Sequence, residues 1–518
     1  MPLFIAFFLA AFVYLHNDVS IDFSDEGFLW YGAQHVLTGQ VPLRDFQSYD
    51  PGRYYWCAAV LSVLGKGLMP LRLAMSLFQF VALCFGLLTL RRVSRSALFL
   101  LGAGFLAIFW MLIPFRYFDA SMAMIALFFA TRLVEKQSFR RHLAAGVFIG
   151  LATFFGINHG LYLFAGFFVL ILYLDFKGIV AFAAKKRLFF FLGLALGLFP
   201  FWWMFLTIPG FWASKWESMA MIGSSFYGGK MNVSYPISWP WVLHWDKLTG
   251  PLPNFSAKIL EYTNYFSIGL LYIFLVAYYL VCVPALIGLK NIQERSRALF
   301  VASIFVGLFY LRHIFARGDV CYLGEGIFPV WAGLLASRAF LRSRSLKITH
   351  SILVVFFVVN SFISAALLNN IIFKYMVPKG GMIWYRVGKD RLWLTHPDAE
   401  YCENVKKLVS KYVKPEEPIL LAPLLTTFYC LLNKESPVHE LYFCIAPTPA
   451  MEERSVQDLE NKKVRWAIVA NLIVDGHKEH GLSNSHPILW KYLMKNFEFV
   501  TNEGLRPSYF LMRRKSSL

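Results

Sequence analysis

Residues 22–39 of the chain read DFSDEGFLWYGAQHVLTG and follow the apolar run that opens the sequence. From Phe28 onwards, aromatic and apolar residues recur at helical spacing, and Gly39 is a suitable helix stop. The pattern predicts a short amphipathic helix on the membrane surface, with Asp25 and Glu26 at its N-terminus. Acids at a helix N-terminus also favour the helix dipole by about 0.3–1 kcal/mol, so this pair alone does not establish a reaction.

The composition of the 518-residue chain excludes most other classes of protein. Hydrophobic residues make up 58% and charged residues 16% of it, against about 45–50% and about 25% in soluble domains. The formal charge of +19 would suit a nucleic acid, but many basic residues stand in short gaps between apolar runs. Seven cysteines are too few for a disulfide framework, and Cys430 and Cys444 either pair or remain thiols. These figures predict a polytopic membrane protein with no nucleic-acid partner.

Apolar segments of helical length recur through the first part of the chain and predict eleven membrane spans. Their approximate positions are 2–16, 70–90, 97–114, 118–133, 143–157, 160–175, 188–206, 265–289, 298–313, 326–340 and 348–370.

The charges in the gaps predict the orientation of these spans. Five gaps are rich in Lys and Arg, whereas 17–52 contains only Arg44. With eleven crossings and a cytoplasmic N-terminus, the positive-inside rule places every basic gap in the cytoplasm. The stretch 54–69 must then not cross, and we predict an interfacial or re-entrant helix that is broken at Gly65 and Gly67.

The predicted topology leaves three regions on the outer face: the loop 17–53, the long loop 207–264 and the C-terminal segment. In that segment charges become dense, and short strand-like runs alternate with helical ones, which predicts a small α/β domain. We therefore divide the chain into a transmembrane domain, 1–371, and an extracytoplasmic α/β domain, 372–518. The predicted strands lie near 418–422, 464–471, 497–501 and 509–512, and the helices near 399–412, 451–462 and 487–496.

The first outer loop concentrates ionisable side chains beside the membrane. Its candidate residues are two arginines and a group of acids, namely Arg44, Arg53, Asp25, Glu26, Asp45 and Asp50. Carboxylates next to lipid are costly unless they are paired or used in chemistry. The loop is therefore the first candidate for a functional site.

The order of these residues resembles a known family. The acidic pair, the aromatic helix, the run RDF at 44–46 and the run DPGRYY at 50–55 are similar to the first outer loop of the GT-C membrane glycosyltransferases. The branch with protein O-mannosyltransferases and lipid A aminoarabinose transferases is the most similar. The run RYFDA at 116–120 adds an acid at the start of the fourth span. The resemblance implies a GT-C fold and transfer of one sugar from a polyprenyl-phosphate carrier to an acceptor on the non-cytoplasmic face.

The resemblance also implies roles for matching residues. Asp25 would be the main catalytic carboxylate and Asp119 a supporting acid, with Glu26 in the same catalytic set. Substrate contacts are expected from Asp45, Asp50 and Tyr54. Many relatives carry lysines at two positions where this chain has other residues, so the basic group on the donor phosphate is one of three candidates: Arg53, His159 and Arg317.

Residues 313–325, HIFARGDVCYLGE, form a second constellation between two spans. The fork of Arg317 can clasp a phosphate, or it can pair with Asp319 and merely tie the loop. Asp319 and Glu325 are further candidates for substrate binding. His159 and the histidine that opens this stretch can bind a divalent cation together with acids of the first loop, although no His-x-x-x-His or Cys-x-x-Cys spacing supports one.

Such a transfer needs a base for the acceptor proton and a fixed cation for the departing phosphate. By analogy with the family that the chain resembles, we expect an inverting enzyme, multi-pass in a bacterial inner membrane, whose acceptor is a lipid, a glycan or a protein. Two alternatives stay open: a transporter or flippase of a lipid-linked sugar, and a non-catalytic GT-C-like assembly subunit. Transporters place their binding groups near the bilayer midplane and often show internal repeats. The acids here cluster at predicted outer helix ends, which favours the enzyme.

Overall fold

The computed structural model describes residues 1–112, 118–179, 182–227, 255–315, 320–368, 381–473 and 480–515. Most of the chain before position 368 is helical, and a 3-10 turn, Arg338–Phe340, and a π-helical stretch, Phe362–Leu368, lie near the end of this part. The α-helices in chain order are α1 (Pro2–Leu15), α2 (Asp25–Val36), α3 (Pro51–Leu64), α4 (Leu68–Leu90), α5 (Ala97–Met111), α6 (Asp119–Glu135), α7 (Phe139–Phe155), α8 (Ile157–Phe176), α9 (Ala183–Gly197), α10 (Phe199–Thr207), α11 (Phe211–Tyr227), α12 (Phe255–Gly288), α13 (Arg295–Ile314), α14 (Val320–Ser337) and α15 (Arg344–Ser361).

Each of the eleven predicted spans falls on one of these helices or, for 188–206, on the pair α9 and α10. Within the described residues, six helical segments are long and apolar enough to cross a bilayer, and α9 with α10, bent by 48°, is a seventh candidate. α1 and α5 are shorter apolar helices. The chain is an integral, multi-pass membrane protein, and the number of crossings stays a prediction.

Small residues allow two of the helices to approach closely. Gly146 and Gly150 on α7 face Gly193 and Gly197 on α9, at the same four-residue spacing. A Cβ on Gly146 would lie 2.1 Å from the Phe190 carbonyl oxygen, and the nearest atoms to each of the four glycines include backbone. This small-xxx-small arrangement is typical of helix pairs in membranes, where close packing replaces the hydrophobic effect as a driving force.

Contacts divide the chain into two compact units. The helical unit consists of Met1–Asn17, Met75–Trp203 and Ser234–Pro378, and the mixed unit of Asp18–Ala74, Met204–Val233 and Lys379–Leu518. The first loop thus shares a unit with the C-terminal segment, although the two are far apart in sequence. The domain boundary at residue 371 stays a prediction.

The predicted break after the first loop is present. α3 ends at Leu64, Gly65 adopts φ +95°, and α4 starts at Leu68. A positive φ favours glycine, which explains why the chain turns there. Pro70 is accommodated because it lies in the first turn of α4, where an amide hydrogen has no intrahelical partner.

The prediction of a continuous loop at 207–264 is wrong in part. Residues Phe211–Tyr227 form α11 and α12 begins at Phe255, while 228–254 lie outside the described residues. The prolines of the predicted loop after Pro209 all fall between these two helices, and 211–227 contains none. The average composition of 207–264 therefore did not reveal α11 or the start of α12.

The C-terminal segment forms the predicted α/β structure, and every predicted strand and helix of this segment is present. A hairpin of β1 (Met382–Val387) and β2 (Asp390–Thr395), which the sequence did not reveal, precedes it. The main sheet has the order β3-β4-β6-β5, with β3 and β4 parallel and the other neighbours antiparallel. Its strands are β3 (Ile419–Ala422), β4 (Trp466–Ala470), β5 (Phe497–Thr501) and β6 (Tyr509–Arg514), and its helices are α16 (His396–Tyr412), α17 (Thr426–Leu431), α18 (Pro449–Asn461), α19 (Leu482–Ser485) and α20 (Pro487–Asn496).

The core of this segment explains why it folds. β3 and β4 are buried along their whole length, as expected of a parallel pair covered on both faces. Leu459 of α18 and Leu489 and Leu493 of α20 pack into the same apolar cluster as the strands. No disulfide joins Cys430 to Cys444, both of which are described.

Within the mixed unit, backbone contacts join the C-terminal segment to the first loop. Ser20 N–H donates to the Trp393 carbonyl at 2.7 Å, and Thr427 N–H donates to the Phe23 carbonyl at 3.1 Å. A Cβ on Gly27 of α2 would lie 2.1 Å from the Thr427 hydroxyl, so α2 and α17 touch. The predicted amphipathic helix exists, and part of its surface is buried against protein.

Candidate functional site

The first loop places Asp25 at the first position of α2. The Asp22 carboxylate accepts hydrogen bonds from the Ser24 N–H at 2.9 Å and the Glu26 N–H at 3.1 Å. These bonds satisfy amides that a helix N-terminus would otherwise leave without partners. Burial raises the pKa of Asp22, and the nearby Glu26 charge adds to the rise, while the backbone donors oppose it. The cap fixes where α2 begins, and therefore where the half-buried Asp25 stands.

Glu26, the next residue, is held by an arginine that the sequence analysis did not single out. Arg72 of α4 donates through Nε to Glu26 Oε1 at 2.6 Å and through Nη2 to Oε2 at 2.8 Å. The same guanidinium donates to the Ser20 carbonyl at 2.8 Å. The two side chains are only 5% and 6% exposed. Both carboxylate oxygens of Glu26 are therefore engaged in a buried, two-pronged ion pair.

A second ion pair lies at the start of α3. Asp50 is the N-cap residue of that helix, and its Oδ1 contacts the Nζ of Lys215 on α11. Arg53, in the first turn of α3, is buried, and its guanidinium lies 5.3 Å from the centre of the Tyr49 ring. We call Asp25, Glu26, Asp50, Arg53, Arg72 and Lys215 the first-loop cluster.

Two other predicted substrate residues stabilise the loop itself. The Asp45 carboxylate is bound by Arg44 at 2.8 Å through both oxygens and also accepts the Val41 N–H at 2.7 Å. Burial would raise the pKa of Asp45, but the hydrogen bonds from Arg44 and Val41 outweigh it, and the net shift is downward. Tyr54 is fully buried, and its hydroxyl accepts the Tyr49 N–H at 3.0 Å. Its position is that of a packing residue between α3 and α2.

The helical unit contains a second group of ionisable side chains, at helix ends. Asp119 is the first residue of α6, His159 is in the first turn of α8, and Tyr310 is in the last turns of α13. The His159 Nε2 lies 2.6 Å from Asp119 Oδ1, and its Nδ1 lies 3.0 Å from the Tyr310 hydroxyl. All three side chains are buried. A neutral imidazole with its proton on Nε2 satisfies both contacts at once.

A second histidine and carboxylate lie beside the first pair. The Nε2 of His313 is 2.5 Å from the Oε2 of the buried Glu325, and the His159 and His313 rings are 6.2 Å apart. We call Asp119, His159, Tyr310, His313 and Glu325 the buried histidine cluster. The structure brings together Asp119, His159 and Glu325, for which the sequence predicts three different roles.

This cluster is able to do two kinds of chemistry. Asp119, His159 and Glu325 each offer one ligand atom, and these atoms lie within 4.8 Å of one another. Carboxylate and imidazole ligands suit divalent ions such as Zn²⁺. The two ring nitrogens of His159 also connect the Asp119 carboxylate to the Tyr310 hydroxyl, so a proton can pass between these groups through the imidazole. The sequence left a divalent cation open without a supporting spacing, and these three residues of the helical unit are a candidate site for one.

Some predicted residues lie outside the described part of the chain. They include Arg317 and Asp319, in the gap at 316–319, and Arg116, in the gap at 113–117. Their predicted roles in phosphate and substrate binding stay predictions.

The main omission from the sequence analysis is Arg72. It is the one charged residue in the predicted span 70–90, where a charged side chain is expensive and therefore a functional or structural signal. This charge in a predicted membrane span is visible in the sequence and is sufficient to mark Arg72 as a candidate. Tyr310 gave no such signal, since a tyrosine near the end of a membrane span is ordinary.

Comparison with known proteins supports the fold. No protein-family model matches the sequence, and no curated protein matches it. Among solved structures, the chain is similar to ArnT from Cupriavidus metallidurans in the apo state, with 13% identity, 97% of this chain and 96% of that chain covered, and a TM-score of 0.50.

Two weaker likenesses are to archaeal proteins. One is the oligosaccharyltransferase of Archaeoglobus fulgidus in the apo form, with 12% identity, coverage of 96% and 72%, and a TM-score of 0.44. The other is AglB from Archaeoglobus fulgidus with an inhibitory peptide and a dolichol-phosphate, with 11% identity, coverage of 99% and 74%, and a TM-score of 0.44.

The likeness to ArnT, a lipid A aminoarabinose transferase, extends over nearly the whole of both chains. It confirms the predicted fold, a set of apolar helices followed by a small C-terminal domain with strands.

Proposed function

We propose that the protein is a glycosyltransferase that moves a monosaccharide from a polyprenyl-phosphate carrier to an acceptor at the extracytoplasmic side of the membrane. The acceptor hydroxyl loses its proton to Asp25, its oxygen attacks the anomeric carbon, and the bond to the carrier phosphate breaks with inversion. A lipid-linked donor explains why the enzyme is a membrane protein, because the donor's tail never leaves the bilayer.

The observation that carries this proposal is the position of Asp25 on a GT-C fold. It is the first residue of α2, next to a buried ion pair and after a capping aspartate. A base must stand within hydrogen-bond reach of the proton that it removes, and its contribution is typically about 10²–10⁴-fold. The Asp22 cap and the Glu26–Arg72 pair on either side restrict where Asp25 can move.

For Glu26 we propose a positioning role in place of the catalytic role that the sequence suggested. Its two carboxylate oxygens are engaged by Arg72, at 2.6 and 2.8 Å. A carboxylate in such a pair is a poor base, because removing its charge would leave a buried guanidinium without a counter-ion. Glu26 instead ties the start of α2 to α4.

For the buried histidine cluster we propose a supporting role. Asp119 holds the His159 imidazole in one tautomer, and Tyr310 satisfies the other ring nitrogen. If a divalent cation binds, Asp119, His159 and Glu325 would hold it, and it would supply electrostatic stabilisation of negative charge.

The proposal is tested by mass spectrometry of envelope glycans and lipids from cells with and without the intact gene. Loss of one sugar from one glycoconjugate identifies the donor sugar and the acceptor together. Complementation with Asp25→Asn should fail to restore that sugar, while Asp18→Asn, a change in the same loop outside the first-loop cluster, should restore it. Both variants should insert into the membrane at the wild-type level.

Three results would contradict the proposal. Full complementation by Asp25→Asn removes Asp25 from the reaction. Accumulation of a lipid-linked sugar on the cytoplasmic side in the deletion strain indicates a flippase. An unchanged glycan profile together with loss of a partner enzyme from the membrane indicates an assembly subunit.

A further inference from the structure

The hairpin of β1 and β2 lies against the start of a membrane helix. The Met69 N–H, in the first turn of α4, donates to Asp390 Oδ2 at 3.0 Å, and a Cβ on Gly67 would lie 2.5 Å from the same oxygen. α4 has 23 residues and is long and apolar enough to cross a bilayer. At 1.5 Å per residue it spans about 34 Å, slightly more than the apolar layer of about 30 Å. Its first turn, and with it the hairpin turn at 387–390, therefore lies at the membrane boundary.

The end of α3, just before that first turn, is also suited to the membrane boundary. Val63 and Leu64, its last two residues, are 80% and 53% exposed. The exposed Lys66 follows in the break before α4. Exposed apolar residues next to a cation are typical of segments in the interface, where the apolar groups enter lipid and the charge stays with the headgroups. These two neighbouring parts of the mixed unit thus indicate the same boundary.

One face of the hairpin combines tryptophans with arginines. Trp384 stands opposite Trp393, with the ring centres 4.3 Å apart. Arg386 stands opposite Arg391, nearer the turn, and the Arg391 guanidinium lies 5.4 Å from the centre of the Trp384 ring. Side chains alternate between the two faces of a strand, and Leu392, which belongs to the other face, is buried. The hairpin therefore packs one face against protein and leaves cations and indole rings on the other.

The hairpin turn adds a third cation. Arg386, Lys389 and Arg391 are exposed, and none of them forms an ion pair within the part of the chain that the structure describes. The acid among them, Asp390, is directed to α4. Like charges directly opposite each other destabilise an antiparallel pair, so Arg386 and Arg391 favour an anion beside them. We call Arg386, Lys389 and Arg391 the basic hairpin end.

We propose that the basic hairpin end binds the phosphates of anionic phospholipids in the adjoining leaflet, with the tryptophan pair in the membrane interface. A lipid surface is the occupant that the placement favours, because the hairpin turn lies beside the first turn of α4 and near the exposed end of α3. Lys and Arg are attracted to an anionic membrane, and tryptophans are enriched at its interface. The inference does not depend on the proposed function, since no substrate takes part in it.

The lipid contact would also hold the start of the first loop. The Trp393 N–H donates to the Asp18 carbonyl at 2.8 Å, and the Trp393 carbonyl accepts the Ser20 N–H at 2.7 Å. Residues 18–20 thus pair with β2 along its edge, and they precede α2 by a short stretch of chain. A hairpin fixed on lipid therefore also fixes the segment that leads to Asp25.

The test measures amide hydrogen exchange of the full-length protein by mass spectrometry in two kinds of nanodisc. One contains phosphatidylglycerol, which is anionic, and the other contains phosphatidylcholine, which has no net charge. Exchange of the peptide 382–395 should be about 10- to 100-fold slower in the anionic disc at low salt, because each basic residue near an anionic surface contributes about fivefold and lipid binding opposes opening of the hairpin. At about 1 M salt the Debye length is about 3 Å, and the difference should disappear.

Replacing the three cations together, as Arg386→Gln, Lys389→Gln and Arg391→Gln, should remove the difference between the two discs. Peptides of β5 and β6 should exchange at the same rate in both discs, and they show whether each variant is folded. Lys389→Gln alone leaves both strands intact and should reduce the difference about fivefold. This single variant decides the matter if the triple variant does not fold.

The matched control removes the same charge from exposed lysines elsewhere in the C-terminal segment, as Lys414→Gln, Lys463→Gln and Lys491→Gln. It should keep the wild-type difference, because these lysines do not belong to the hairpin.

Three results would overturn the inference. Equal exchange of 382–395 in the two discs at low salt excludes the lipid contact. Hairpin variants that keep the wild-type difference, or a control that loses it, show that the basic hairpin end is not the cause. Slower exchange in the phosphatidylcholine disc on addition of free glycerol phosphate indicates a site for a soluble anion in place of a membrane surface.

Discussion

Replacing Arg72 with methionine should destabilise the protein strongly, because it leaves the Glu26 carboxylate buried without its counter-ion. The pair is two-pronged, at 2.6 and 2.8 Å, with side-chain exposures of 5% and 6%. Removing one partner of a buried ion pair costs about 3–5 kcal/mol. For a unit of 150–250 residues, 1 kcal/mol shifts Tm by about 2–4 °C, so the expected fall is about 6–20 °C.

Arg44→Met is the matched control, because Arg44 forms an equally two-pronged pair with Asp45 at 2.8 Å. Its side chains are 31% and 29% exposed, which allows water to solvate either charge. An exposed pair contributes about 0–1 kcal/mol. Because both pairs are two-pronged, the difference in Tm between the two variants measures the effect of burial.

The assay is a double-mutant cycle of Glu26→Met and Arg72→Met, followed by thermal unfolding in nanodiscs. The double variant should be more stable than either single variant, because no charge remains buried alone. It should also recover part of the sugar transfer that Glu26→Met loses, since Glu26 acts through position. Equal shifts for Arg72→Met and Arg44→Met, or a double variant that is inactive although stable, would refute this reasoning.

Three further predictions test other parts of the structure. Burial lowers the pKa of His35. Its contribution to stability is therefore complete above its unfolded pKa of about 6.5 and is lost as the pH falls. His35→Gln should flatten the decline of Tm between pH 7.5 and 5.5, whereas a change at His396, which is 68% exposed, should not. His159→Phe should lower sugar transfer about 10- to 100-fold at normal insertion, because the buried carboxylate beside it loses a charge-assisted hydrogen bond, and metal analysis of the variant and the wild type shows whether an ion is lost as well. In a background without the native cysteines, a cysteine at Thr38 should react with an impermeant thiol reagent from outside intact cells, and one at Ser343 should not. The reverse labelling pattern would show that the protein has the opposite orientation in the membrane.

Much of the fold was predictable from the sequence because its determinants are local. Apolar length identifies membrane helices, and the glycines around Lys66 mark the break between α3 and α4. The strands of the C-terminal sheet follow from short β-branched and aromatic runs between turns. The sequence did not predict the hairpin at 382–395, because arginines, tryptophans and a lysine interrupt the alternation of polar and apolar residues in its strands.

The site was predictable as a set of residues, but not as a set of pairs. Asp119 and His159 are 40 positions apart, and Asp50 and Lys215 are 165 apart. Such partners are chosen by tertiary packing, which no spacing rule in one sequence reports. For the same reason Glu26 looked like a second catalytic acid, since its partner on α4 was not apparent.

The most direct measurement is sugar transfer by the purified protein in proteoliposomes, from a polyprenyl-phosphate sugar to the acceptor that glycan analysis identifies. The account predicts transfer with inversion by the wild type and a loss of about 10²–10⁴-fold in Asp25→Asn, with Asp18→Asn at the wild-type rate. Transfer by Asp25→Asn at the wild-type rate, or transfer from a nucleotide sugar in place of the lipid-linked one, would contradict it.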